Sequence, residues 1–326
     1  MQVARPGSRA RRCPLVTAID TSASARLAVH GGASDFESLP LQVSGVANGC
    51  VYGLIALGFV LIYKATEALN FAQGDMMMLG AFVTLGLTND HYWALPFWVS
   101  VPIALLLMGA FGYVLEMTLL RRMSGQSQIA VVVLTVALGF IIRFLAGAIW
   151  GHEPQSLESP IAGVNVRFAG LVLGLDEVAV ILVTVVLTGL LYLGFARTRL
   201  GLAMQATSQN QLAAYCMGIP VKRVSALIWG LSGVVATVAG ILLASKGSID
   251  PNSGFLGIKA FAAAVIGGLG SLPGALLGGL VIGVIEPFAA RHVAAGFSQV
   301  VPYAVLLLVL IIRPSGILSQ VRDKKV

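Results

Sequence analysis

SLPLQVSGVANGCVYGLIALGFVLIY, residues 38–63, contains no Asp, Glu, Lys or Arg. A helix needs about 20 mainly apolar residues to cross the hydrocarbon core of a bilayer, and this stretch suffices alone. Seven more windows free of those four residues follow: 76–89, 91–115, 123–142, 178–196, 224–245, 260–285 and 292–312. The window 76–89 is short unless it extends back through Asp75 toward Asn70. The window 260–285 is long but interrupted by Gly-Ser-Leu-Pro at 270–273, where Pro273 removes a backbone donor. It reads as one broken helix or two short ones.

Composition agrees with that pattern. Of the 326 residues, 57% are hydrophobic and 11% charged, whereas soluble domains carry about a quarter charged residues. Such a chain cannot clothe a water-facing surface. The expected fold is all-α: a polytopic integral membrane protein with about 8–9 crossings. The net charge of +7 comes from basic residues scattered singly or in pairs, so no nucleic-acid-binding face can be drawn. Cys13, Cys50 and Cys216 lie far apart, which gives neither a disulfide framework nor a metal site.

Charge asymmetry orients the spans. Segment 197–223 carries Arg197, Arg199, Lys222 and Arg223 without an acid, and 313–326 carries four basic residues against Asp323. With Arg121 and Arg122, these segments are expected on the cytoplasmic side. Segment 151–177, with Arg167 against Glu153, Glu158, Asp176 and Glu177, is expected outside. Nine crossings satisfy both assignments if 260–285 counts as two. The first 40 residues, rich in Arg, Ser and Ala, read as a non-native upstream extension, a disordered tail or a targeting peptide. The membrane-spanning body is expected over 41–320, with a short cytoplasmic tail at 321–326.

Chemistry is mostly absent. No glycine-rich loop ends in Gly-Lys-Ser or Gly-Lys-Thr, so no phosphate cradle is present. His30, His91, His152 and His292 are isolated. No nucleophilic triad can be assembled, and neither a catalytic residue, a metal site nor a cofactor is expected.

Three segments stand out. In the inner loop, Ser208 followed by Gln211 fits a capping box. A short helix then runs through Leu212, Ala213 and Ala214 to Met217, and Gly218 and Pro220 stop it. It is either a merely structured loop or a rigid helix that docks into another protein. The second segment is Asn70-Phe71-Ala72-Gln73-Gly74-Asp75. An ionisable group in apolar surroundings is a functional candidate, so Asn70, Gln73 and Asp75 are candidates for a pathway or gate at an unwound helix. Asp75 reads equally as an interfacial carboxylate capping a helix start. Third, Gly270, Gly274 and Gly278 recur every four residues, and Gly279 and Gly283 repeat the spacing. That spacing suits close helix packing, with a subunit interface or sliding pore wall as the functional extra. Lys259 is expected to snorkel, while Glu116, Arg143 and Glu286 form buried links or face the pathway.

Leu212-Ala213-Ala214-x-x-x-Gly218 resembles the Glu-Ala-Ala-x-x-x-Gly loop of importer permeases driven by ATP-binding cassettes. The flanking Arg-Thr-Arg-Leu-Gly (197–201), Met-Gly-Ile-Pro (217–220) and Lys-Arg-Val (222–224) are similar to the branched-chain amino-acid permease family in particular. LNFAQGDMMMLGAF (69–82), GIKAFAAAVIGGLGSLPGALLGGLVIGVIE (257–286) and Arg313-Pro314-Ser315-Gly316 resemble that family's further blocks, in the same order. One departure is Leu212, where the family carries an acid. The resemblance implies an inner-membrane permease, half of the translocation pathway of an ATP-driven importer. It implies two ATP-binding-cassette ATPase subunits, a second homologous permease and a periplasmic substrate-binding protein as partners, within membrane lipid. The implied substrates are branched-chain or other neutral amino acids. Relatives with the same motifs carry urea, amides or small carboxylates. An ion-coupled secondary transporter is the alternative from another class; it would show internal repeats and acids at the membrane centre or broken helices.

Overall fold

The computed structural model describes residues 22–89, 93–123, 125–160, 164–168, 171–292 and 299–318. The chain forms two units, 1–41 and 42–326. Within the first, residues 1–21 of the expected tail lie outside the described residues, and a helix begins at Ser22.

The second unit is a helical bundle. Helix α1 (Ser22–Thr66) contributes its stretch Gln42–Thr66, the first of six described segments long and apolar enough to cross a membrane. The others are α3 (Phe97–Thr118, continued by a 3-10 turn at Leu120–Met123), α4 (Gln128–Trp150), α5 (Leu175–Arg197), α8 (Val221–Lys246) and α10 (Leu272–His292). Shorter helices lie between them: α2 (Gln73–Thr88), α6 (Arg199–Gln209), α7 (Gln211–Cys216), α9 (Leu256–Gly267) and α11 (Val301–Ile312). Outside the membrane helices, β1 (Asn165–Phe168) pairs antiparallel with β2 (Leu171–Gly174) in a small hairpin that the all-α expectation did not include.

Burial separates core from lipid face. In the most apolar 18 residues of Gln42–Thr66, 89% of the residues are buried, whereas in those of α5 only 17% are. The exposed faces of α3, α4 and α5 carry side chains such as Leu106, Val133, Phe144, Val185 and Leu190, which suits contact with lipid tails. The interrupted window resolves into two helices. Gly268, at φ +99°, turns the chain between α9 and α10, and Pro273 sits in the first turn of α10, where no helical N–H is lost.

Glycines set how closely α10 packs. A methyl group on Gly278 would strike the Ala263 carbonyl of α9. On the other side, a methyl on Gly49 would lie 2.9 Å from the Gly279 carbonyl oxygen. Without side chains, the α1, α10 and α9 backbones approach closely where lipid supplies no hydrophobic drive between helices. Gly274, Gly278 and Gly283 all serve this packing. Gly270 does not: it lies exposed in the turn before α10.

The two ends of the bundle differ. Gln155 and Ile249 exchange backbone hydrogen bonds of 2.9 and 2.7 Å, so the 151–160 segment sits beyond the C-terminal end of α8. There Lys246 donates to Asn48 Oδ1 at 2.7 Å and lies 3.8 Å from Glu177. At the opposite end Arg121 donates to the Lys222 carbonyl at 3.4 Å, one residue into α8. A helix of 26 residues separates these ends by about 39 Å. Arg121, Lys222 and Arg223 gather at the second end.

Candidate functional site

Two places gather the residues singled out from sequence: a junction at the centre of the bundle, and the short helix α7 at its basic end.

The junction forms because two helices start inside the bundle. After α1 ends at Thr66, Glu67 adopts φ +53°, and the chain runs without helix to α2. Gln73 and Asp75 then meet Ser232, near the middle of α8, and Arg143, well inside α4. The start of α2 therefore lies deep among its neighbours. On the other side of the bundle the chain leaves α8, forms a 3-10 turn at Pro251–Phe255 capped by Asp250 and Ser253, and begins α9. The two starts touch. A methyl group on Gly257 would lie 2.8 Å from Gly74 Cα, so the backbones pass with no side chain between them.

Every polar side chain of the signature has a partner. Asn70 Oδ1 accepts from the Ala72 N–H at 3.1 Å, and its amide donates toward Gln73 Oε1 at 3.4 Å. Ser232 Oγ lies 2.9 Å from Gln73 Oε1 and 3.1 Å from the Gly58 carbonyl; one hydroxyl proton serves one of them. Gln73 Nε2 donates to the Ser232 carbonyl at 3.3 Å. The Phe71 N–H donates to Thr135 Oγ1 at 3.2 Å. Around them Phe59, Phe71 and Phe261 pack ring to ring. Asn70 and Gln73 are fully buried, so their mutual satisfaction is what allows them there.

Asp75 is not the interfacial cap that was its other reading. Its carboxylate is ion-paired with Arg143, with Nη2 at 2.7 Å and Nε at 3.1 Å from Oδ1. Arg143 also lies over the Phe255 ring, 3.7 Å from its centre, which adds cation–π attraction. Methyl groups at Gly139 or Gly254 would collide with the Asp75 carboxylate. The other ionisable residues find partners too: Glu116 pairs with Arg121 at 3.2 Å. Lys259 pairs with Glu286 at 2.5 Å and so does not snorkel, and Tyr52 donates to Glu286 at 3.0 Å.

Helix α7 corrects the capping expectation. Ser208 lies inside α6 and donates to the Gln205 carbonyl at 3.2 Å, so no capping box with Gln211 forms. Asn210 takes the cap, with Oδ1 accepting from the Ala213 N–H at 3.0 Å. Asn caps as well as Ser, and Asn210 stands where the backbone leaves α6 in an extended conformation. The stop is as expected: Gly218 has φ +84°, and the Ile219 N–H reaches back to the Ala214 carbonyl at 3.0 Å. Leu212, Tyr215 and Met217 are exposed, Met217 by 83%, and Ala213 is exposed beside them. Ala214 is buried, so it belongs to the inward face of the helix and only Ala213 belongs to the outward one.

Arg143, Ser232, Phe255 and Asn210 complete these sites without having been assigned to them from sequence. Asn210 was visible as a capping residue. The other three are joined to the signature only by the fold. Among the described residues no cluster of His, Cys, Asp and Glu is placed to hold a metal ion.

Comparison with known proteins adds three findings. The family model described as "Branched-chain amino acid transport system / permease component" matches residues 42–310. The high-affinity branched-chain amino acid transport system permease protein BraD of Pseudomonas aeruginosa is 31% identical, over 89% of this chain and 99% of its own length. Two permease proteins of the corresponding Escherichia coli system also match. LivH is 30% identical over 88% of this chain and 97% of its own length. LivM is 25% identical over 84% of this chain and 69% of its own length.

Proposed function

Because this chain belongs to the permease-component family of branched-chain amino acid transport systems, we propose that it imports branched-chain or other neutral amino acids as half of a paired translocation pathway. It is a multi-pass inner-membrane permease subunit of an ATP-binding-cassette importer, not an enzyme. The observation that carries the substrate reading is the extent of similarity: the relatives named for branched-chain amino acids align over nearly their whole length.

The second permease is a homologue of this chain, as LivH and LivM are two permease proteins of one system. Two ATPase subunits and a periplasmic binding protein complete the assembly. Helix α7 is the contact with the ATPases. Its backbone is closed at both ends by Asn210 and Gly218, so it moves as a rigid body, and its outward Leu212, Ala213, Tyr215 and Met217 offer an apolar surface. The basic residues at that end support a cytoplasmic α7. The junction of α2 and α9 is the gate: Asn70, Gln73 and Asp75 close the pathway in the arrangement described above. The glycine-lined contacts of α10 let neighbouring helices slide as it opens.

Uptake by reconstituted vesicles tests the substrate. With the full assembly and ATP, labelled leucine should accumulate, and excess unlabelled isoleucine should compete where urea and acetamide do not. Accumulation of urea or acetamide in place of leucine would move the chain to the amide-carrying relatives.

A further inference from the structure

Arg143 stands on α4, an uninterrupted crossing helix, and holds both interrupted segments at once. It binds Asp75 in the first turn of α2 by two N–H···O contacts to one oxygen. It also lies against Phe255, the last residue of the turn that leads into α9. Of the four ion pairs among the described residues, Asp75–Arg143 is the least exposed, with side chains 6% and 14% accessible. The other three have at least one partner more open to its surroundings. A buried ion pair stabilises a fold little better than well-packed apolar side chains of the same volume. Its use lies in being a specific contact with two discrete states, made or parted. Here it joins the two elements whose bare backbones meet at Gly74 and Gly257.

We propose that Arg143 is the positioning residue of the gate. It clamps the starts of α2 and α9 together in the closed state, and opening parts its guanidinium from Asp75 and from the Phe255 ring. This rests on the importer reading and names the residue on which the gate of that reading turns. Arg143 acts through the helices it holds and touches no substrate.

The test uses the complete assembly (both permeases, the ATPases and the binding protein) in lipid vesicles. Arg143→Met, Arg143→Lys, Asp75→Asn and the double variant Asp75→Asn/Arg143→Met are compared with the unaltered complex. Three quantities are read: complex recovered, ATP hydrolysis per complex with and without loaded binding protein, and leucine uptake. With the clamp gone, hydrolysis without binding protein should rise several-fold and lose its stimulation, while uptake falls at least roughly tenfold, the worth of one of the two charge-assisted hydrogen bonds lost. Arg143→Lys, which keeps the charge and loses the planar fork, should fall between. The double variant should match the single ones instead of compounding them. A residue that only stabilised the fold would lower the amount of complex and leave stimulation per complex intact; that result overturns the proposal, as does unchanged uptake in Arg143→Met. Should Arg143→Met fail to assemble, the double variant decides by the same readouts, since it leaves no unpaired charge buried. If the unaltered complex takes up nothing with ATP, the importer reading itself fails; if it transports and the Arg143 variants transport equally well, the clamp alone fails.

Discussion

The central junction and helix α7 are built on opposite terms. At the junction the side chains are satisfied and hidden: Asn70, Gln73 and Asp75 each have a partner, and two backbones touch at glycines. At α7 the backbone is satisfied and the side chains are left over, with Leu212, Tyr215 and Met217 facing outward. The difference matches the two proposed roles. In the proposed account the junction, with all its polar groups paired, acts by parting, and the capped helix with an unused apolar surface acts by being covered. Substitutions should therefore fail in different ways at the two places.

The largest effect is expected where backbone meets backbone. Gly257→Val puts branched carbon against Gly74, and overpacking of that kind costs about 3 kcal/mol. Recovery of folded protein from membranes should collapse. Normal recovery would mean that α2 and α9 separate easily and that the closed junction is not a tight contact.

Next comes Asp75→Asn, which keeps the shape and removes the charge. Uptake by the assembled complex should fall roughly tenfold, as the two contacts from Arg143 lose their charge assistance, while the amount of complex stays close to that of the unaltered protein. Loss of assembly together with loss of uptake would make Asp75 a structural residue and blur the contrast with α7.

On the α7 side, Ala213→Trp adds bulk to the outward face, and Gly218→Val asks a β-branched residue to hold φ +84° at a cost of about 1 kcal/mol or more. Both leave the membrane helices alone. Permease levels should be unchanged, whereas copurification of the ATPases and uptake should both drop. The smallest effect belongs to Leu212→Glu, which restores the acid usual at this position in the family. ATPase binding should be unchanged or tighter. A loss as deep as that of Ala213→Trp would mean that the ATPase groove facing Leu212 is apolar.

The two regions also differ in how much of them the sequence disclosed. Helix α7 was legible because caps and stops are local. Gly218 and Pro220 end the helix from within four residues of its body, and only the choice between Ser208 and Asn210 needed the fold, since both residue types cap. The membrane helices were legible for a similar reason: windows without charge mark apolar helices directly, and Gly-Ser-Leu-Pro marks the division of α9 from α10. Of those windows, 76–89 and 292–312 fall on α2 and α11, which are shorter than the six described helices of spanning length. The junction was half legible. The polar run 70–75 announced a break in an apolar helix, but the partner of Asp75 lies 68 residues away and that of Gln73 lies 159 away. No periodicity selects Arg143 over Lys259 or Arg121 as the counter-charge. Likewise, Gly279 and Gly283 announced close packing without saying that Gly49 lies opposite. The strand pair 165–168 and 171–174 went unforeseen because two four-residue strands leave almost no pattern beside long apolar windows.

The central claim is that α7 receives the force of ATP hydrolysis on one side of the membrane while the junction opens to substrate. Vesicles containing the assembled complex, in one orientation established by labelling of single cysteines at Ser156 and Gln209, test it directly. With loaded binding protein on the Ser156 side and ATP confined to the Gln209 side, leucine should move toward the ATP, and an imposed sodium or proton gradient without ATP should move none. Leucine movement driven by the ion gradient alone, or by ATP supplied only on the Ser156 side, would contradict the account.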